Sequence, residues 1–344
     1  MALPPWHPES LAARLPFLDG RARLQAAVRG FLAGRGYREV ETPALVPVPG
    51  MEVHLQAFRS AFIPHLGRGA RRTLWLRTSP ELALKRLLVA GAGPVFEFAR
   101  VWRNGEVSAR HAPEFTMLEW YGPGLSMAQL MDETEALVRS VCPPRVAHEG
   151  VETDLSLPFE RLTMAEAFAR WCGGLDILGT EGDGANLAEA AARIGSPARE
   201  GEGWEDLFFR LLLERVEPHL GRGRATFLTH WPTPQAALAK RDPDDPRAAL
   251  RFELFAGGIE LANAFEELTD PVEQPAPVQH DVAARRRLYG DAEGWDTDEE
   301  FLAALEHGMP PTSGIALGFD RLAMLATGAR RIGDVLWLPS EVGG

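Results

Sequence analysis

Two arginines, far apart in the chain, lie where phosphate chemistry could be done. Arg103 ends a strand-like run inside FEFARVWRNGEVSARHAPEFTMLEWY (Phe96 to Tyr121), and Arg321 sits in SGIALGFDRLAML (Ser313 to Leu325). The first stretch reads as a strand, a polar loop, and a second strand from Glu114 that alternates acidic and aromatic side chains. The second reads as a Gly-rich strand breaking into a helix. A fixed guanidinium at the end of a strand can hold a phosphate oxygen by charge-assisted hydrogen bonds. Taken singly, either arginine is better explained by a surface ion pair. Glu119 and Tyr121 are two apart on one strand and so face the same side of a sheet, an acid and a phenol that could hold an ammonium. Glu253 and Glu260 fall on neighbouring strand patterns, as hard-oxygen ligands or as solvated strand-edge acids.

The elements that must position these groups are legible in outline. Apolar residues recur at helical spacing from Phe17 to Leu32, and Gly34 and Gly36 end that helix. Tyr37 to Thr42 alternates like a strand before Pro43. Ser79-Pro80-Glu81 is a helix start, with Ser79 as cap and Pro80 at the first helical position, and the helix runs through Leu88. Residues 126–141 form another amphipathic helix. From 160 to 222 the character changes to a helical insertion. Thr163 and Glu166 form a capping box, residues 184–194 are Ala-rich, and Trp204 to Val216 is amphipathic. Strand patterns return at Thr226–Thr229, Arg251–Phe255 and Ile259–Phe265, with turns at 242–246 and 271–277. Thr297 and Glu300 cap a last helix ending at Gly308. Trp102, Trp120 and Trp231 read as core aromatics.

Together the two stretches resemble motifs 2 and 3 of the class II aminoacyl-tRNA synthetases, and the resemblance covers about residues 17–340. It is closest to the lysyl branch, and within it to the short paralogues that lysylate elongation factor P. The resemblance implies an α+β fold, an antiparallel sheet flanked by helices, in one catalytic domain over 1–344. The insertion at about 160–222 then separates motifs 2 and 3, and the helix, strand and proline at 17–43 match motif 1, the family's dimer interface. It implies that Arg103 clamps the α-phosphate of ATP, while Arg321 reaches the γ-phosphate and lies over the adenine opposite Phe115. Asn104, Gly105, Glu106, His111, Glu260 and Leu261 would complete the ATP site, Gly318 would let the backbone approach the nucleotide, and Glu253 and Glu260 would hold Mg²⁺.

For the amino acid, the resemblance implies a cage of Glu119, Tyr121 and Glu267 around a distal ammonium. Ser79, Pro80 and Glu81 would receive the other amino group, and Asn263 a carboxylate or an amino group. Three departures are visible. Gly105 displaces the motif 2 acid to Glu106, Ala112 replaces an Asn, and Ala316 stands where lysyl-tRNA synthetases carry Gly. The short paralogues share that Ala, which fits a preference for β-lysine. The expected activity is ATP-dependent activation of (R)-β-lysine or lysine as an adenylate, then transfer to a lysine ε-amine of elongation factor P. The alternatives are a truncated lysyl-tRNA synthetase-like enzyme with another acceptor (tRNA or a small amine) and a non-catalytic regulatory paralogue.

Bulk composition fits these expectations. The chain has 45% hydrophobic residues and a formal net charge of −12, and Lys85 and Lys240 are its only lysines. An acidic balance argues against broad grip on nucleic-acid backbones, so tRNA binding is not expected. Motif 1 begins almost at once, so the anticodon-binding barrel of full lysyl-tRNA synthetases is expected to be missing. Cys142 and Cys172 have neither metal-site nor disulfide spacing. No apolar leader opens MALPPWHPES, and no apolar run reaches the roughly 18 residues of a membrane span. The expectation is a soluble, cytoplasmic homodimer.

Overall fold

The computed structural model describes residues 3–64, 69–180, 182–236, 238–270, 283, 285–287, 289, 290, 295 and 297–339. The turn expected at 271–277 lies outside the described residues. The described helices are α1 (Pro8–Gly34), α2 (Glu81–Val89), α3 (Met127–Val141), α4 (Met164–Trp171), α5 (Gly184–Arg193), α6 (Trp204–Leu211), α7 (Glu299–His307) and α8 (Phe319–Thr327). The strands are β1 (Arg38–Glu39), β2 (Leu45–Val46), β3 (Arg59–Phe62), β4 (Arg72–Leu76), β5 (Val95–Trp102), β6 (Glu114–Pro123), β7 (Arg145–His148), β8 (Val151–Asp154), β9 (Glu160–Thr163), β10 (Thr226–Pro232), β11 (Ala248–Ala256), β12 (Ile259–Glu266) and β13 (Thr312–Gly318). Mostly antiparallel strands with flanking helices make this an α+β fold. The chain divides into two compact units, Met1–Leu125 with Thr269–Gly344, and Ser126–Leu268.

In the first unit the strands run in the order β1-β5-β6-β13, with β1 parallel to β5 and the others antiparallel. Helix α1 starts earlier than the sequence pattern suggested and passes through Pro16. The missing Pro16 N–H removes one helical bond, but the buried stripe of Leu18, Leu24, Val28 and Leu32 holds the helix in place. The strand expected at 37–42 shrinks to β1, because Pro43 has no N–H to offer a ladder. Helix α2 begins at Glu81 with Pro80 just ahead of it, and Ser79 Oγ accepts the Glu81 N–H at 2.9 Å. The cap of α7 is Asp298 rather than Thr297: its carboxylate accepts the Phe301 N–H at 2.9 Å. Two strands flank β4 in a small separate sheet, β2-β4-β3.

The second unit carries β12-β11-β10 antiparallel, with β9 parallel to β10, so residues 160–163 are a strand rather than part of a helical insertion. Ser126 with Gln129 and Thr163 with Glu166 form the capping boxes of α3 and α4. A hairpin, β7–β8, precedes the insertion and had no clear sequence signal. Phe168 and Phe208 are fully buried and stack at 5.6 Å among α4, α5 and α6. Each such aromatic contributes about 2–3 kcal/mol by burial. Among the described residues no helix is long and apolar enough to cross a membrane.

Candidate active site

Strand β6 sets the site in the first unit. Its alternation turns Glu119 and Tyr121 to one side, and the Tyr121 hydroxyl donates to Glu119 Oε2 at 3.2 Å. Ser79 Oγ donates to Glu119 Oε1 at 2.6 Å. Ala316 pairs directly with Glu119 across β13–β6, so its methyl group stands beside that carboxylate. Glu119 is wholly buried, and no cation among the described residues pairs with it. Burial, then repulsion from Glu81, pushes its pKa up to about 8, against the two hydroxyl hydrogen bonds that lower it. Such a group accepts a cation readily, because an ammonium brought alongside relieves the cost of its charge.

Its neighbours already have partners. Glu97 lies opposite Glu119 in the β5–β6 register. It takes the Arg77 guanidinium at 2.7 Å and the Thr42 hydroxyl at 2.7 Å. Lys85, fully buried one turn along α2, donates to Glu81 Oε1 at 2.6 Å. Glu52 keeps solvent contact, yet the protein crowded around it raises its pKa, Glu81 adds to the rise and Arg103 opposes it. Gly50 is required beside it, since a Cβ there would fall 2.4 Å from Thr78 Oγ1 and 2.8 Å from Glu52 Oε2.

Arg103 follows β5, its N–H donating to the Pro113 carbonyl at 3.0 Å. The guanidinium lies 5.3 Å from the Phe115 ring. Its Nε is buried and has no hydrogen-bond partner among the described residues, an orphaned donor that an anion would satisfy. Asn104 is held by its backbone, with N–H to the Gln56 carbonyl at 2.7 Å. Gly105 takes a φ of 84°, a left-handed turn that favours glycine, and Glu106 follows it half-buried. Arg321 Nη2 donates to His111 Nε2 at 2.5 Å, and His111 Nδ1 contacts Ser108 Oγ at 2.7 Å. Because a guanidinium only donates, His111 must be neutral with its proton on Nδ1, given to Ser108. A Cβ on Gly318 would meet Arg321 Cδ at 3.4 Å, so the residue leaves room for that arginine's stem.

Arg321 is placed from a distance. Asp320, in the first turn of α8, is 1% exposed; it pairs with Arg21 of α1 at 2.7 Å and accepts the Thr116 N–H at 2.7 Å. An acid there also suits the helix dipole. The chain around Asp320 thereby ties α8 to both α1 and β6.

In the second unit, Glu253 and Asn263 face each other across β11–β12. Glu253 is ion-paired with Arg251 at 2.5 Å. Its pKa is raised to about 8 chiefly by burial, with Arg251 lowering it and Glu260 raising it. Two acids that repel one another, one of them desolvated, suit a divalent cation, and Mg²⁺ needs only one or two carboxylates. Among the described residues no three His, Cys, Asp or Glu side chains gather as a metal cage. Leu261 is buried, and Glu267 is 2% exposed at an isolated bridge with Ala239. Trp120 and Trp231 are core residues and Trp102 is half-buried.

Arg77, Glu97, Lys85, Glu52, Arg21 and Arg251 were not among the expected site residues. The signal was present for some of them: a charged residue on the inward phase of an otherwise apolar strand, as Glu97 is in Phe96-Glu97-Phe98, needs a partner.

A profile of the tRNA synthetases class II (D, K and N) matches residues 14–342. The chain belongs to the class II tRNA synthetases. Among its class II relatives are proteins named elongation factor P--(R)-beta-lysine ligase. Those of Haemophilus influenzae (strain PittGG) and Yersinia enterocolitica are each 41% identical, with 97% of both chains covered. That of Klebsiella pneumoniae subsp. pneumoniae is 41% identical, covering 96% of each chain. Membership in class II makes this chain a member of an ATP-using family.

Proposed function

We propose that this chain is an ATP-dependent ligase that activates (R)-β-lysine or lysine and joins it to the ε-amine of a lysine on elongation factor P. The observation that carries the reading is Glu119, a wholly buried carboxylate that no cation among the described residues pairs with, flanked by Tyr121, Ser79 and Ala316. That environment asks for a ligand ammonium, and the lysine in the relatives' name supplies one.

In the first step, a carboxylate oxygen of the amino acid attacks the α-phosphorus of ATP, the bond to the β-phosphate oxygen breaks, and pyrophosphate leaves. Arg103 and Arg321 neutralise phosphate charge, with Phe115 and Arg321 on the adenine faces and Asn104, Gly105, Glu106, His111, Glu260 and Leu261 around the nucleotide. Arg321 would leave His111 for the phosphate, since both draw on the same donor. Glu253 and Glu260 would hold Mg²⁺, which supplies further charge neutralisation when bound. In the second step, the acceptor amine, after losing a proton, attacks the acyl carbon; AMP departs and an amide forms. Glu119, Tyr121 and Glu267 grip the distal ammonium, while Ser79, Pro80 and Glu81 receive the other amino group. Catalysis comes from positioning and charge, without an enzyme-bound acyl group. The reading also takes the chain as one catalytic domain working as a cytoplasmic homodimer.

ATP–pyrophosphate exchange with α-lysine, (R)-β-lysine and (S)-β-lysine tests the first step. Transfer of the labelled amino acid to elongation factor P, against tRNA and ammonia as competing acceptors, tests the second. Arg103→Ala should slow exchange by about 10²-fold. A wild type inert with all three amino acids would end the proposal.

A further inference from the structure

Arg251 occupies a position that no role in the reaction yet explains. In β10 the register slips between Thr229 and Trp231, and His230 takes a φ of 57°. Had the ladder continued evenly, Trp231 would pair with Leu250; it pairs with Ala249 instead, so Leu250 and Arg251 of β11 together stand against His230. The Trp231 ring then lies 3.9 Å beneath the Arg251 guanidinium, and the Phe265 ring is 5.8 Å away. A left-handed non-glycine residue is a strained arrangement, and here it supplies an aromatic seat for one cation.

From that seat the guanidinium forks. Nη2 donates to Glu253 Oε1 at 2.5 Å, Nε donates to Asn263 Oδ1 at 3.1 Å, and Nη1 donates to the Gln235 carbonyl. Arginine has five donors and no acceptor. The amide of Asn263 must therefore present its oxygen to Arg251, which fixes the orientation of its NH₂ group as a donor for a ligand. A donor recognises a carboxylate or carbonyl oxygen and repels an ammonium. Of the two contacts left open for Asn263 from sequence, carboxylate or amino group, this orientation favours the carboxylate.

We propose that Arg251 is a positioning residue that fixes the amide of Asn263 to bind the carboxylate of the amino acid, while steering Glu253 from the same guanidinium. The proposal rests on the ligase reading above. It accounts for why the residue is arginine: a lysine would supply the charge for Glu253 but not the second, rigidly placed donor.

The test measures two constants in ATP–pyrophosphate exchange: KM for the amino acid, and Ki for 1,5-diaminopentane, which has both amines and no carboxylate. In Arg251→Gln, KM should rise about tenfold, the scale of a hydrogen bond to a charged group, while Ki for the diamine stays within about twofold. Arg251→Lys should raise KM for the amino acid as much as Arg251→Gln does and leave KM for ATP near the wild-type value. In the pair Arg251→Gln with Asn263→Ala, KM should be no higher than in Asn263→Ala alone, because residues acting through one contact are non-additive. An equal rise in KM and Ki, an unchanged KM in both Arg251 variants, or additive effects in the pair would each overturn the assignment. Wild-type protein inactive with every lysine isomer would remove the ligase reading itself, a result separable from all of these.

Discussion

Glu97 and Glu119 are the same residue type, opposite each other in the β5–β6 register, and both are buried. They differ in what meets them. Glu97 is closed by Arg77 and Thr42, whereas among the described residues Glu119 receives only the hydroxyls of Ser79 and Tyr121. A carboxylate that the protein has itself neutralised belongs to the framework; one left with hydroxyls alone is held for a visiting cation. Glu253 lies between the two, carrying Arg251 and still raised to about 8 by burial.

The sharpest way to break this contrast is to neutralise each acid in turn. Glu119→Gln should lower amino-acid-dependent pyrophosphate exchange by about 10³-fold, since the pocket then lacks its counter-charge. It should also raise the melting temperature of the ligand-free protein above pH 8. The sign follows from the raised pKa: burial costs nothing below about 4.5, where the carboxyl is protonated in both states. The cost grows as pH climbs toward 8 and is complete above it. A lower melting temperature for Glu119→Gln at pH 9 would contradict the assignment. Arg77→Met should do the reverse, stranding Glu97 and removing about 3–5 kcal/mol of stability in denaturant unfolding. A fully stable Arg77→Met protein would erase the distinction between the two acids.

Smaller effects sharpen the picture. Ala316→Gly should shift the ratio of kcat/KM values for α-lysine over β-lysine upward by about tenfold, the scale of one methyl group in a packed pocket. An unchanged ratio would detach Ala316 from isomer choice. Affinity for the diamino acid should rise with pH, by up to about tenfold per unit below about 8, and then level, because the ligand binds the ionised form of Glu119 and releases its proton. Calorimetry in buffers of different ionisation enthalpy should detect that proton below pH 8, and none above it.

Much of this was legible before any coordinates. Residues 96–121 and 313–325 form strand, loop, strand and helix as their patterns indicate, and period-2 alternation alone puts Glu119 beside Tyr121. The rest was hidden because partners came from elsewhere in the chain. Nothing local in Arg77 marks it as the counter-ion of Glu97, nor in Arg21 as that of Asp320. The bulge opposite His230 was equally invisible, since neither Thr229-His230-Trp231 nor Ala249-Leu250-Arg251 contains a glycine or proline to signal it. Residues 160–163 read as helical because the capping box at Thr163 dominates the local pattern, while their pairing with β10 is a contact across the whole insertion. The early start of α1 was masked by Pro16, whose local cost is outweighed by a stripe of buried leucines and Val28.

The anchorage of α8 has a consequence for the chain during synthesis. Arg21 and Thr116 precede the aspartate they bind by 299 and 204 residues, so the Arg21–Asp320 pair closes only once the chain has been made through residue 320. A chain stopped before residue 320 lacks both that anchor and Arg321, the second guanidinium of the proposed phosphate site. Closure of so wide a loop is slow and comes late. On the proposed reading, a product truncated before that point is expected to be inert in pyrophosphate exchange rather than half-active.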